Sequence, residues 1–298
     1  MRLILAYKHC YPSYLGGLLR RAAKRLRLPV VTIGPVQGQW IHDTPEEEGW
    51  RPDVEVPDQP GQYFETRSGD VIINVDQGDG FYALPTNKVP VAWCFTEGNP
   101  SEYDKAIGRA DVIWSCMPRK PAGMQLPGLH HLSWSYDSEF TPLYPIQHEH
   151  RVVDVSLRGS WGSHRQRFVD AFTSDISYDC GAPLSRAAWG KSLQNACITI
   201  ADHEPGYLSG RIIDAMASGC LVFALRSDEM DILSPKGYVV LSGKKNSDID
   251  PQEIVAKIHE YRDIEKRGPI AERAQRHVAG LDYESQLLRI LGSVGIHV

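Results

Sequence analysis

Between Asp202 and Asp214 the chain gathers His203, Glu204, Tyr207, Ser209, Arg211 and Asp214 in a passage from an apolar strand to an apolar-faced helix. Side chains of these types suit a ligand that is anionic at one end and rich in hydroxyls at the other. Ser209 is a good N-cap, so a helix opening at Gly210 presents free backbone N–H groups and a positive dipole end, which suits a phosphate. Arg211 beside that start can hold a diphosphate. Asp214, three residues on and so on the same helix face, can accept hydrogen bonds from a ribose diol. A surface Arg–Asp pair on an amphipathic helix explains the same spacing, and such pairs contribute only ~0.3–0.5 kcal/mol.

The elements that must carry these residues are legible as alternating strand and helix. The 298 residues give a prior of two domains, and 42% hydrophobic with 23% charged residues is an ordinary folded composition. Apolar runs at 2–6, 30–33, 71–75, 89–95, 112–116 and 129–134 read as strands of a first domain. Their continuous apolarity is what strands covered on both faces show. A helix follows the first strand, with Leu15, Leu18, Leu19, Ala22, Ala23 and Leu26 on one face. A polar, proline-bearing break at 137–151 marks the linker, which gives domains 1–145 and 146–298. A second series of strands follows at 152–157, 176–178, 196–200, 221–225 and 238–241, with helices near 164–173, 184–194 and 210–217. The fold class expected is α/β, two doubly wound Rossmann-like domains facing a cleft. At the C-terminal end, Asp250-Pro251 with Glu253 reads as a capping box, and Pro269 opens a helix that Gly280 closes.

The segment Asp154-Val155-Ser156-Leu157-Arg158-Gly159-Ser160, the downstream Arg165, and the run Ser209–Cys220 together resemble the C-terminal half of the CgeB-like, spore-maturation-type glycosyltransferases of the GT-B class. The likeness covers about 150–290; the first half matches in layout. It implies a nucleotide-sugar donor, UDP-linked by preference, held by the C-terminal domain as a co-substrate with no other cofactor. Arg211 would meet the diphosphate and Asp214 the ribose. Gly159, Ser160 and Arg165 would close on the phosphates, and His203, Glu204 and Tyr207 would complete the donor side. Gly16 and Gly17 occupy the place where such enzymes often set a glycine loop beneath the donor; flexibility at a helix start explains the pair equally well. Two departures bear on stereochemistry. Asp214 replaces the usual Glu, and Gly206 stands where many retaining relatives carry the first acid of an E-x7-E pair, so retention of configuration does not follow.

Strand-end polar residues are candidates for the acceptor side, because ligands of open α/β sheets bind beyond the carboxyl ends of strands. His9, Asp76 and Glu97 stand there, and an inverting enzyme needs one of them as general base. Glu97, within the turn Thr96-Glu97-Gly98-Asn99-Pro100, is the first choice; each is also readable as an ordinary loop residue.

Charge and composition bound the alternatives. A net charge of −5 argues against a generally basic nucleic-acid binder. Arg20, Arg21, Lys24 and Arg25 nevertheless line one face of the first helix, and Trp40, Trp50, Trp93 and Trp161 offer stacking surfaces. Nucleic acid therefore stays open as an acceptor, in the form of a hydroxylated DNA base. A non-catalytic nucleotide-sugar-binding or scaffold protein is the other alternative. Asp248-Ile249-Asp250 has the D-x-D form of a manganese site, but Asp250 reads as a helix cap, and His148-Glu149-His150 reads as a solvated turn. No metal is expected. The six cysteines form no C-x-x-C pair, apolar runs stay near five residues against the ~20 of a membrane span, and the start is too short for a signal peptide. These features give a cytoplasmic expectation with no membrane span.

Overall fold

The doubly covered apolar runs form two separate all-parallel sheets, one of seven strands and one of five. The computed structural model describes residues 1–7, 14–34, 52–55, 65–76, 89–96, 103–104, 106–116, 128–143, 148–158, 163–181, 185–201 and 209–298. The chain divides into two compact units, Met1–Ser133 with Tyr283–Val298, and Trp134–Asp282.

The first unit is built on the sheet order β3 (Val54–Glu55), β2 (Val30–Gly34), β1 (Arg2–Tyr7), β4 (Asp70–Val75), β5 (Val91–Phe95), β6 (Val112–Ser115), β7 (Leu129–His131). Alternate residues of each strand serve opposite faces. Leu3, Leu5, Val71 and Ile73 pack against Leu15, Leu18 and Leu19 of α1 (Leu15–Arg25) and against Leu287, Ile290 and Leu291 of the last helix, Tyr283–Ser293. On the other face Ile4, Ile72, Trp93, Phe95 and Tyr103 form a second cluster. Strand order reverses between β1 and β4, which makes that junction the switch point of this sheet.

Close packing and charged partners both place the first helix. A Cβ on Gly16 would fall 2.7 Å from the Tyr7 ring, so this glycine, buried with Gly17 in the first turn of α1, lets the helix pack closely on β1. The basic face is engaged within its own unit. Arg20 donates to Asp53 at 2.9 Å, Arg25 pairs with Glu284, and Arg21 is only 3% exposed. Trp93 lies in the core with no exposed surface, which removes it as a stacking platform.

The second unit has the sheet order β12 (Val239–Leu241), β11 (Leu221–Leu225), β10 (Ala196–Ala201), β8 (Val153–Arg158), β9 (Tyr178–Gly181). Its switch point is the junction of β8 and β10. Helices α3 (Arg186–Asn195), α4 (Gly210–Ala217) and α7 (Ile264–Val278) cover one face through Leu193, Ile213, Met216 and Ala274. On the opposite face Phe168 of α2 (Ser163–Ala171) and Ile254 and Ile258 of α6 (Pro251–Tyr261) meet Val155, Ile198 and Phe223. A short α5 (Asp228–Leu233) follows β11, and Tyr283–Ser293 is α8.

By contacts the chain divides into compact units after Ser133, and Tyr283–Val298 groups with the first unit. The apolar stripe of α8 completes the face that α1 leaves open, a pairing that periodicity alone leaves unassigned. Asp250 caps α6 as expected, accepting from the Gln252 N–H at 2.9 Å. Glu253, however, accepts from the Ser242 N–H and hydroxyl, so no reciprocal capping box forms. α7 begins at Ile264 under an Asp263 cap and carries Pro269 inside it.

Candidate functional site

At the β8–β10 switch point the strand ends and the start of α4 line a small recess of about 20 Å³. Leu157 and Arg158 come from β8, Thr199, Ile200 and Ala201 from β10, Trp189 from α3, and Arg211 and Ile212 from α4. Arg158 ends its strand facing β9. Its Nε donates to Asp179 Oδ1 at 2.8 Å and its Nη2 to the same oxygen, while Asp179 Oδ2 accepts from the Ser192 hydroxyl at 2.6 Å. Burial pushes the Asp179 carboxyl up, yet the hydrogen bonds from Arg158 and Ser192 outweigh it and hold the group below its ordinary value. A Cβ on Gly181 would sit 2.8 Å from Arg158 Nη1, and the glycine's φ of 135° is one that side chains rarely adopt. The anchored guanidinium has Nη1 left to donate, and Arg211 is exposed on the same recess. Two cations beside the amino end of a helix are groups whose chemistry suits an anion with several oxygens.

The α4 start differs from the expectation in two respects. Ser209 has N-cap backbone geometry, but its side chain makes no capping hydrogen bond. Asp214 does not share a face with Arg211: it is 1% exposed and turned inward. Asp214 Oδ1 accepts from Thr141 Oγ1 at 2.8 Å, Arg186 Nη2 at 3.2 Å and the Asp137 N–H at 3.4 Å. Asp214 Oδ2 accepts from Arg186 Nη1 at 2.9 Å and Trp189 Nε1 at 3.2 Å. The ribose contact expected of this carboxylate is therefore not open in this arrangement. Helical residues three apart diverge by about 60°, enough for one to face solvent and the other the core.

In the first unit Asp76 closes β4 at its switch point with β1 and adopts a left-handed φ of 48°. Its carboxylate accepts from the Thr96 N–H at 2.7 Å, from the Thr96 hydroxyl and from the Tyr14 hydroxyl. Tyr14 is the backbone N-cap of α1 and Thr96 follows β5, so one acid ties two strand ends to the start of a helix. His9 and Glu97 lie outside the described residues, as do Gly159, Ser160, His203, Glu204 and Tyr207. Arg165 is on α2 and 4% exposed.

Among the described residues no group of three His, Cys, Asp or Glu side chains is placed to hold a metal ion. Asp250 is taken up as a cap, and Asp248 accepts from the Lys244 N–H at 3.2 Å. His148 departs from the solvated-turn reading: it is 8% exposed, beside Arg267 and Arg151. Sequence reasoning passed over Arg158, Trp189, Arg186 and Thr141. Of these only Arg158 had a local signal, its place at the end of a strand.

No family model and no curated protein matches the sequence. Solved structures do match. Anabaena HepE (Alr3699) in complex with UDP is 13% identical over 99% of this chain and 100% of its own, with a TM-score of 0.69. An alpha-glucosyltransferase in complex with UDP and a 13-mer DNA containing a central A:G mismatch is 9% identical, with 95% of each chain covered and a TM-score of 0.61. An alpha-glucosyltransferase in complex with UDP-glucose and DNA containing an abasic site is 10% identical over 95% of this chain and 96% of that one, with a TM-score of 0.59. These neighbours are GT-B glycosyltransferases, and two Rossmann-like α/β units are the fold this chain shares with them.

Proposed function

We propose that the chain is a glycosyltransferase that moves a sugar from a UDP-sugar to an acceptor hydroxyl without a metal ion. The observation that carries this reading is the cationic recess at the β8–β10 switch point, where Arg158, Arg211 and the start of α4 converge. As the anomeric C–O bond breaks, negative charge gathers on the departing diphosphate. Guanidinium groups and helix N–H donors fixed beforehand stabilise that charge, the task a divalent ion performs in metal-dependent relatives. The fold neighbours crystallised with UDP or UDP-glucose, and the CgeB-like run Ser209–Cys220, support the same ligand. Arg165, Gly159, Ser160, His203, Glu204 and Tyr207 remain our proposed further donor contacts.

On the acceptor side Glu97 is the proposed general base, with His9 the alternate. Asp76 already accepts three hydrogen bonds, which suits it to ordering the strand ends. We place the reaction in the cytoplasm; among the described residues no helix is long and apolar enough to cross a membrane. A hydroxylated DNA base is the second acceptor reading, favoured by the neighbour bound to DNA containing an HMU base. Engagement of Arg20, Arg21 and Arg25 weighs against α1 as its docking face.

Incubation of the purified chain with UDP-glucose and other UDP-sugars, following release of UDP, tests the proposal. Wild type should turn over at least one donor, and Arg211→Ala should slow it by about a hundredfold, the usual loss on removing one charge-stabilising donor. UDP binding without any turnover would instead favour a non-catalytic nucleotide-sugar-binding protein.

A further inference from the structure

Thr96 follows β5 and is 3% exposed, and each of its polar groups is held. Its backbone N–H donates to Asp76 Oδ1 at 2.7 Å, its hydroxyl donates to Asp76 Oδ2, and its carbonyl oxygen accepts from the Cys116 thiol. The Tyr14 hydroxyl lies 3.2 Å from that of Thr96 and donates to Asp76 Oδ2 as well. Groups from the ends of β4 and β6 and from the start of α1 thus meet on one residue.

Continuing the sheet asks for less than this. The backbone ladder runs on by itself, since the Asp76 N–H donates to the Cys94 carbonyl at 2.9 Å and the Cys116 N–H to that of Phe95 at 3.1 Å. Asp76 adds its side-chain hold from a left-handed φ of 48°, a conformation strained for a residue with a side chain and concentrated at functional positions. The next residue in the chain after Thr96 is Glu97. A general base must come within hydrogen-bond reach of the proton it removes, and a misplacement of ~1 Å costs about a hundredfold in rate. The backbone from which such a base projects therefore has to be fixed.

We infer that Asp76 is a positioning residue: with Tyr14 and Cys116 it fixes Thr96, and through Thr96 the point from which the chain offers Glu97 to the acceptor hydroxyl. This role rests on the reading of Glu97 as general base given above. In that step Glu97 takes the hydroxyl proton as the acceptor oxygen bonds to the anomeric carbon. The bond from that carbon to the diphosphate breaks, and its electron pair leaves with UDP. Asp76 exchanges no proton.

The test follows UDP release from UDP-glucose and other UDP-sugars, with water as acceptor, across pH in wild type, Asp76→Asn, Thr96→Val and Glu97→Gln, each as the full chain. Calorimetric titration of UDP counts the binding-competent sites, so that kcat is read per site. Glu97→Gln should lose about a hundredfold or more in kcat together with the acidic limb of the pH profile. Asp76→Asn should lose about ten- to a hundredfold in kcat, keep wild-type UDP affinity and retain the acidic limb. Thr96→Val should lose less, in the same direction. An Asp76→Asn profile without the acidic limb would make Asp76 itself the base and overturn the inference, as would wild-type kcat in that variant. Should Asp76→Asn fail to fold, Thr96→Val decides alone, and an unchanged kcat there overturns the inference. Wild-type turnover in Glu97→Gln removes the base assignment, and this inference with it, while leaving the transferase reading intact. Absence of turnover of any UDP-sugar by wild type overturns that reading itself.

Discussion

Beside the carboxyl ends of β8 and β10 stand two arginines and an indole; at the carboxyl ends of β4 and β5, beside the start of α1, stand a carboxylate, a threonine hydroxyl and a phenol. Both places are switch points of parallel sheets, so topology offers each unit the same opening. Charge order separates them. In the second unit Asp179 stands behind Arg158 and Asp214 behind the Trp189 indole, each holding its partner by hydrogen bonds. In the first unit the acid stands at the strand end itself, surrounded by neutral donors. The first arrangement suits an anion, whereas the second suits a hydroxyl-bearing ligand and disfavours a phosphate.

The comparison breaks most visibly if the buried pair behind the recess is removed. Arg186→Met leaves the Asp214 carboxylate buried with its charge unmatched, and urea denaturation should show a loss of about 3–5 kcal/mol. A loss below about 1 kcal/mol would mean that the second unit's edge depends no more on charge than the first unit's. In that first unit Tyr14→Phe keeps the ring and removes one hydrogen bond to a charged acceptor. The expected loss is about 1–2 kcal/mol, with UDP affinity unchanged; weakened UDP binding would mean that the β1–α1 junction does contact the donor.

The smallest effect lies away from both strand-end sites. His148 is buried, and desolvation, then Arg267 and Arg151, lower its pKa from 6.5, while Glu272 and Glu149 act weakly in the opposite sense. A histidine whose folded pKa is depressed adds no pH dependence above its unfolded value. As pH falls below about 6.5 the unfolded chain takes up the proton first, so stability declines. His148→Gln should flatten denaturation midpoints between pH 7 and 5. An equally steep decline in that variant would assign the acid sensitivity to other groups.

How far the sequence reveals this molecule depends on how local each signal is. Strands such as Leu221–Leu225 and Asp70–Val75 are legible because both faces are buried and the apolar run is continuous. β3 is not legible, being two residues, Val54 and Glu55, inside an acidic, proline-rich stretch. Its partner contact instead comes from Asp53, which accepts from the Thr32 N–H at 2.8 Å and from Arg20. The helical character of α8 is plain from its stripe, but its membership in the first unit depends on Glu284 meeting Arg25 and Ser293 meeting Trp114, partners more than a hundred residues away. The same distance hides the role of Asp214. The spacing of Arg211 and Asp214 is visible in one helix, while the donors that turn Asp214 inward come from positions 137, 141, 186 and 189. Arg158 was in view within the strand-turn motif; its hold on Asp179 and the room left by Gly181 required the fold.

The central claim is that the second unit receives a nucleoside diphosphate through guanidinium groups fixed at its switch point. Calorimetric titration of UDP into wild type and Arg158→Ala tests it most directly. Loss of one oriented, charge-assisted donor should weaken binding by about ten- to a hundredfold, equivalent to ~1.5–3 kcal/mol. Identical dissociation constants for the two proteins would contradict it.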